Sequence, residues 1–271
     1  MDLSRSVYYY KSHRDDQAVI GKLQTLADKR PTDGFWKMYF RIRKEGLIWN
    51  HKRIHRVYKL LKLNMKRKGK RRLPARILKP LEPVHQINMS WSMDFMSDAL
   101  MSGRKFRTLN LMDDYNREAL AIEVDTSLPA ERVIRVLEQI TDWRGKPKSI
   151  RVDNGPEFIS SALGLWCEEK RITLQFIQPG KPTQNAYIER FNGSFRKDVL
   201  DAYMFENIQQ VKILAEEWMD DYNYHRPHDA LNGRSPMDML AVDLWKTPEE
   251  FPTNPQPITT TINEMSNLEL S

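Results

Sequence analysis

From about residue 88 onward the chain switches repeatedly between two apolar periods, and this alternation limits it to few architectures. "SWSMDFM" (90–96) is short and apolar-rich. "RTLNLMDD" and "EALAIEVD" follow as two strand candidates joined by the turn-like "DDYNR". "PAERVIRVLEQITDWRG" is helical, with Pro129 near its first turn and Gly145 to end it. Its core positions are Val133, Ile134, Val136, Leu137 and Ile140. "KSIRVDNG" reads as a fourth strand, "EFISSALGLWCEEK" as a second helix and "RITLQFI" as a fifth strand. "TQNAYIERFNGSFRKDV" (183–199) is a helix whose Ile188, Phe191, Phe195 and Val199 form one apolar stripe. "NIQQVKILAEEWMDDY" is another, with Ile208, Val211, Ala215, Trp218 and Tyr222 on one face. Three strands, then helix, strand, helix, strand and helices predict an α/β domain with a mixed sheet.

The stretch before this domain is different in kind. Residues 1–80 hold 23 Lys and Arg against 6 Asp and Glu, a net of +17. The remainder holds 20 against 30, a net of −10. Such a division suggests a polyanion-binding arm on a separately folded body. Residues 16–64 read as three short helices. "DDQAVIGKLQTLADK" places Val19, Ile20, Leu23 and Leu26 at helical spacing, and "RPTDG" breaks it. "FWKMYFRIRKEG" stops at Gly46. "NHKRIHRVYKLLKL" has Asn50 as N-cap and a stripe of Ile54, Val57, Leu60 and Leu61. Lys52, Arg53, Arg56 and Lys59 occupy its other sides. Three helices ending in a basic one fit a helix-turn-helix unit whose last helix meets DNA, or a plain three-helix bundle with a cationic surface. "KRKGKRRLPARILKP" (66–80) has eight Lys or Arg among fifteen residues and no acid. It predicts an extended linker that tracks phosphates through Lys66, Arg67, Lys68, Lys70, Arg71 and Arg72. The expected organisation is a helical region over 1–64, a basic linker over 65–87, a catalytic core over 88–245 and a flexible tail over 246–271.

Three acids stand out by position. Asp94 lies inside a strand, where aspartate is disfavoured without a reason. Asp153 ends the fourth strand, just before Asn154-Gly155, a pair that lets the chain turn at once. In sheets of this class ligands sit at the carboxyl ends of strands. Glu189 flanks the apolar stripe of its helix, 35 residues beyond Asp153. Three like charges share a site only when cations neutralise them or some are protonated. Oxygen-only ligands suit Mg²⁺ or Mn²⁺. Two such ions clamp the attacking and leaving oxygens of a phosphoryl displacement. On spacing alone Asp98 rivals Asp94, and Asp-Asn-Gly is also a common turn.

"WSMDFMSD", "RVDNGPEFIS" and "NAYIERFNGSFRKDVL" together resemble the D,D(35)E core of retroviral integrases and insertion-sequence transposases. "NHKRIHRVYKLLKL" and "YNYHRPHDALNGRSP" look like the second-reading-frame product of the insertion sequences whose transposase is joined by frameshifting. The resemblance covers residues 15 to 240. It implies a ribonuclease H-like mixed sheet with flanking helices, preceded by a small all-α helix-turn-helix-like domain. It maps the catalytic, metal-binding acids onto Asp94, Asp153 and Glu189, with two Mg²⁺ per site and Mn²⁺ able to substitute. It puts Arg196, seven residues after Glu189 and on the same helix face, at the DNA near the element's end. Asn185 and Asn192 or Gly193 lie along that face, and Lys197 joins the DNA-binding set. The implied activity is cleavage at insertion-sequence ends and strand transfer into target DNA. The implied partners are the terminal repeats, the target, further copies of the chain on DNA, and the upstream-frame protein as a fusion or partner. The alternatives are a DNA-binding protein with a degenerate core, and a metal-dependent nuclease that never joins strands.

The remaining features bound the reading. The single cysteine, Cys167, excludes a disulfide within the chain and any zinc site with two thiolates, including the His-His-Cys-Cys module of retroviral integrases. Beside Trp166 it reads as a buried structural thiol. No apolar run approaches a membrane span and no secretory h-region opens the sequence, so a cytoplasmic, nucleoid-associated protein is expected. Asp113 and Asp114 read as turn residues, Glu157 as a helix-start carboxylate, and His225 and His228 as parts of a loop fixed by Pro227 rather than a metal pair.

Overall fold

The computed structural model describes residues 15–64, 84–155, 157–178 and 185–240. The basic run, including Lys66, Arg67, Lys68, Lys70, Arg71 and Arg72, and the tail over 246–271 lie outside the described residues.

Three helices come first: α1 (Gln17–Lys29), α2 (Phe35–Lys44) and α3 (His51–Leu60). Gly46 ends the second by adopting φ +85°. Asn50 caps the third, its side chain accepting from Lys52 N–H. Their core is Val19, Leu23, Leu26, Met38, Ile42, Ile54, Val57 and Tyr58. One position departs from the expected stripe. Leu60 is 69% exposed, and Tyr58 is buried in its stead. The buried Ile54, Val57 and Tyr58 with the partly buried Leu61 make the i, i+3, i+4, i+7 row of an α-helix; Leu60 falls off that row.

The α/β domain has β1 (Ser90–Ala99), β2 (Lys105–Asp113), β3 (Ala119–Asp125), α4 (Ala130–Arg144), β4 (Ser149–Val152), α5 (Ser161–Glu169), β5 (Thr173–Phe176), α6 (Ala186–Phe195) and α7 (Ile208–Asp220). The sheet order is β3-β2-β1-β4-β5. The first three strands are antiparallel, and β1, β4 and β5 run parallel. This five-stranded order, with two helices on each face, is the ribonuclease H-like arrangement.

Alternation along β1 decides which helices each side chain meets. Trp91, Met93 and the partly buried Phe95 join the core under α4 and α5. Met96 joins the core under α6 and α7, together with Ile188, Phe191, Phe195 and Trp218. A strand's side chains alternate with period two, so Ser92, Asp94 and Asp98 share the Met96 face. Asp94 therefore faces α6 because its apolar neighbours are claimed by the other layer.

Two elements differ from the sequence reading. The second helix starts at Ser161 rather than Glu157, because Ser160 caps it by accepting from Leu163 N–H. Glu157 sits in the preceding turn, paired with Arg107. The helix carrying Glu189 ends as α-helix at Phe195 and continues as one π-turn, Arg196–Leu200. There Asp198 is drawn inward to Arg226, the Trp218 indole N–H and the Thr32 hydroxyl.

The helical unit is fastened to the segment after α7. Arg41 donates bidentately to Asp221 (2.9 and 2.8 Å) and to Asp33 (2.8 Å). Lys44 donates to the Tyr224 carbonyl, the Ser235 hydroxyl and Asp238. Gly233 has φ +79°, and any Cβ there would lie 2.8 Å from the Phe40 ring. The "YNYHRPHDALNGRSP" segment is thus a socket for α2.

Candidate active site

The β1–β4 register brings the two strand aspartates together. Ser92 pairs with Arg151 across the parallel strands. Two residues further along each strand are Asp94 and Asp153. Neighbouring strands run about 4.8 Å apart, so Asp94, in mid-β1, and Asp153, just past the end of β4, are neighbours across the sheet. Glu189, in the first turn of α6, lies close enough for its charge to act on the Asp94 carboxyl. The Asp94 carboxyl is pushed up to about 6. Burial is the main cause, opposed by its own Phe95 N–H bond and reinforced by the charges of Asp153 and Glu189. Asp153 fixes its tight turn by accepting from Gly155 N–H at 2.9 Å. A Cβ at Gly155 would stand 2.9 Å from that same oxygen, so a larger residue there would push the Asp153 carboxylate aside.

A chain of amides holds Asp94. Asn192 donates to its carboxylate at 2.8 Å. Asn110, paired with Asp94 across β1 and β2, donates to the Asn192 carbonyl at 2.6 Å. Both asparagines are buried. No cation contacts Asp94 among the described residues. A half-buried acid held only by amides and facing two more acids is short of positive charge.

The α6 face continues along β1. Arg196 donates to Asp98 (3.2 Å) and to the Ser97 carbonyl (3.0 Å). Asp98 is thereby paired and stands apart from the three-acid group, leaving Asp94 as the strand aspartate of that group. Asn185 is buried just before α6, and its side-chain oxygen has no hydrogen-bond partner among the described residues. Lys197 is exposed. In the helical unit Lys52 is exposed, while Arg53 and Arg56 both pair with Asp16.

The acid set is all oxygen. Among the described residues no three Asp, Glu, His or Cys side chains stand close enough to cage a metal by themselves. Mg²⁺ does not require such a cage, because it keeps several waters and shares substrate phosphate oxygens. The donor chemistry and the surplus negative charge at Asp94 fit a hard divalent cation.

Two regions of the chain match models of the integrase core domain, residues 84–182 and 170–236. A protein of insertion element IS407 from Burkholderia multivorans is 39% identical over 88% of this chain and 87% of its own length. The chain belongs to the integrase-core family of insertion-element transposases. The putative transposase InsK of IS150 from Escherichia coli is 23% identical over 88% of this chain and 89% of that one. The HTLV-2 integrase catalytic core domain in complex with magnesium aligns at 18% identity and TM-score 0.46, covering 59% of this chain and 98% of that one.

Around this integrase core the other acids have structural partners. Asp114 is a turn residue as expected, whereas Asp113 ends β2 opposite Trp91, and both are buried. Asp114 accepts from the Ser90 and Ser92 hydroxyls and from Arg151. Asp113 accepts from the Asn88 and Tyr115 N–H groups. His228 lies in a loop with its ring nitrogen 3.3 Å from the Tyr222 carbonyl. Burial and the nearby Arg226 push it down to about 3. Cys167 is buried, and burial pushes its thiol up to about 11. Asn110 is the member of the site that sequence reasoning missed. Its signal was an amide in an otherwise apolar strand, "RTLNLMDD". Among the described residues no helix is long and apolar enough to cross a membrane.

Proposed function

We propose that this chain cuts DNA at the ends of its insertion element and joins the freed ends to target DNA, using Asp94, Asp153 and Glu189. The observation that carries this is the charge deficit at Asp94, where Asp153 and Glu189 both press on a carboxyl held by amides. Those three acids would hold two Mg²⁺ ions, which when bound supply positive charge to the attacking and leaving oxygens of a phosphodiester. The Asn110–Asn192 chain fixes the Asp94 carboxylate so that little reorganisation is needed when the substrate arrives. Water attacks first and leaves a 3′-hydroxyl at the element's end. That hydroxyl then attacks a second phosphodiester in the same place. No covalent bond to the protein is required.

The DNA lies, in this reading, along the α6 face. Arg196 gives up Asp98 to a phosphate, and Lys197 and Asn185 flank it. The helical region over 1–64 and the basic linker over 65–87 hold the flanking duplex, and copies of the chain assemble on the two element ends. The upstream-frame protein acts as a fusion or partner.

The test uses duplex oligonucleotides carrying the element's terminal sequence, with Mg²⁺ or Mn²⁺. The expected result is a nicked 3′ end followed by a joined product, both absent in Glu189→Gln. Joining that survives Glu189→Gln would sink the mechanism. Cleavage without any joined product would make the chain a nuclease.

A further inference from the structure

The helical unit carries a cleft that the catalytic reading leaves unused. It lies between α2 and α3 and has a volume of about 560 Å³. Phe35 and Trp36 form its floor, with His51, His55, Lys52 and Lys59 around them. Trp36 is 37% exposed, although the unit's core closes without it. Its indole stacks loosely on the His51 ring, with centroids 6.3 Å apart and planes 28° from parallel. Phe35 meets the His55 ring edge-on at 4.6 Å.

The electrostatics are one-sided. No acidic residue lines the cleft. Asp16 takes Arg53 and Arg56. Lys52 and Lys59 are exposed at the rim, and among the described residues neither makes an ion pair. A partly exposed indole beside two uncommitted ammonium groups suits a ligand with one flat ring and nearby phosphates. A duplex hides its ring faces in the stack and offers only base edges in its grooves. The cleft therefore matches a nucleotide outside a base pair.

We propose that this cleft binds one unpaired nucleotide of DNA, its base against Trp36 and its flanking phosphates at Lys52 and Lys59. This rests on the proposed action on DNA. It makes the helical unit a reader of separated strands, such as those at a cut or distorted element end.

The test uses the full chain in EDTA, so that no cutting occurs. The probes are a single-stranded oligonucleotide carrying one 2-aminopurine, the matched duplex, and free 2-aminopurine deoxynucleoside monophosphate. Binding to the single strand should change the 2-aminopurine emission. Trp36→Ala should weaken single-strand binding about tenfold, the scale of one lost base stack, and change duplex binding less than twofold. Trp36→Phe should restore most of the affinity, which separates stacking from misfolding. The double variant Lys52→Gln, Lys59→Gln should flatten the salt dependence by about 1.4 in slope, two single-strand phosphate contacts. Equal losses on duplex and single strand, or no loss on either, would overturn the proposal. So would a free nucleotide bound as tightly as the oligonucleotide. Strong duplex binding with no Trp36 effect would overturn this inference alone, whereas a chain that binds none of the DNA probes would overturn the proposed function too.

Discussion

Asp221 and Asp94 are both aspartates withdrawn from water on the same side of the sheet, and their surroundings are opposite. Burial works to raise Asp221, but Arg41 and Arg30 outweigh it and hold the carboxyl below its usual range. Asp198 is held low in the same way against its own burial, by Arg226, Thr32 and Trp218. Asp94 has no arginine; burial and two further carboxylates push it up to about 6. The first pair locks the helical unit to the core. The second has no cationic partner among the described residues, only amides and further acids. The difference teaches that burial alone does not set a carboxyl's charge; the charges and dipoles beside it do.

The largest expected effect breaks this comparison from the functional side. Asp94→Asn, Asp153→Asn or Glu189→Gln should each lower strand joining by about a thousandfold or more, measured with terminal-repeat oligonucleotides. In the absence of divalent metal Asp94→Asn should melt no lower than the parent, because it removes repulsion. Added Mg²⁺ should raise the melting temperature of the parent and not of that variant. A variant that melts well below the parent would mean Asp94 is structural after all.

The structural side should give the reverse pattern. Asp221→Ala leaves Arg41 buried with half its partners gone and should cost about 3–5 kcal/mol, read by urea titration. Added Mg²⁺ should not offset it. A loss below about 1 kcal/mol would show that the helical unit is held by other contacts. Gly233→Ala tests the same socket more gently. The new methyl meets the Phe40 ring at 2.8 Å and the backbone is at φ +79°, so a loss of about 1–3 kcal/mol is expected by the same titration. Unchanged stability would place the Phe40 ring elsewhere in solution.

The smallest effect concerns His228, which sits beside Arg226 in that socket. Its folded value of about 3 lies below the ordinary 6.5, so between these values the unfolded chain holds a proton that the folded chain lacks. Stability should therefore be full above about pH 6.5 and fall as the pH drops toward 3. The slope is limited to about 1.4 kcal/mol per pH unit for one proton. Between pH 6.5 and 5 a loss of about 1.6 kcal/mol is expected, and His228→Gln should flatten it. A parent and variant with identical pH profiles would show that His228 is not buried neutral.

Much of the fold was legible because it is written in local periods. The stripes of α1, α4 and α7 lie where alternation and helical spacing put them, and Gly145 and Asn50 end and cap their helices as their chemistry predicts. The misreadings were at boundaries. Glu157 looked like a helix start, but Ser160 is the better cap and Arg107 claims the glutamate. Leu60 looked like core because leucine is apolar, and its angle on the helix turns it to solvent. Asn110 was missed because its meaning depends on a partner 82 residues away.

The sequence by itself determined the element order, the division into a basic arm and an acidic body, and the three acids worth suspecting. Each of these follows from residues close together in the chain or from simple charge. Tertiary structure alone decided which of these acids stand near one another. The β1–β4 register sets Asp94 beside Asp153, the packing of α6 brings Glu189 and Asn192 onto that face, and Arg196 takes Asp98 out of contention. The physical reason is that an acid's role depends on the charges and dipoles within a few ångströms. Here those come from residues between 59 and 98 positions away, at distances that no local period encodes.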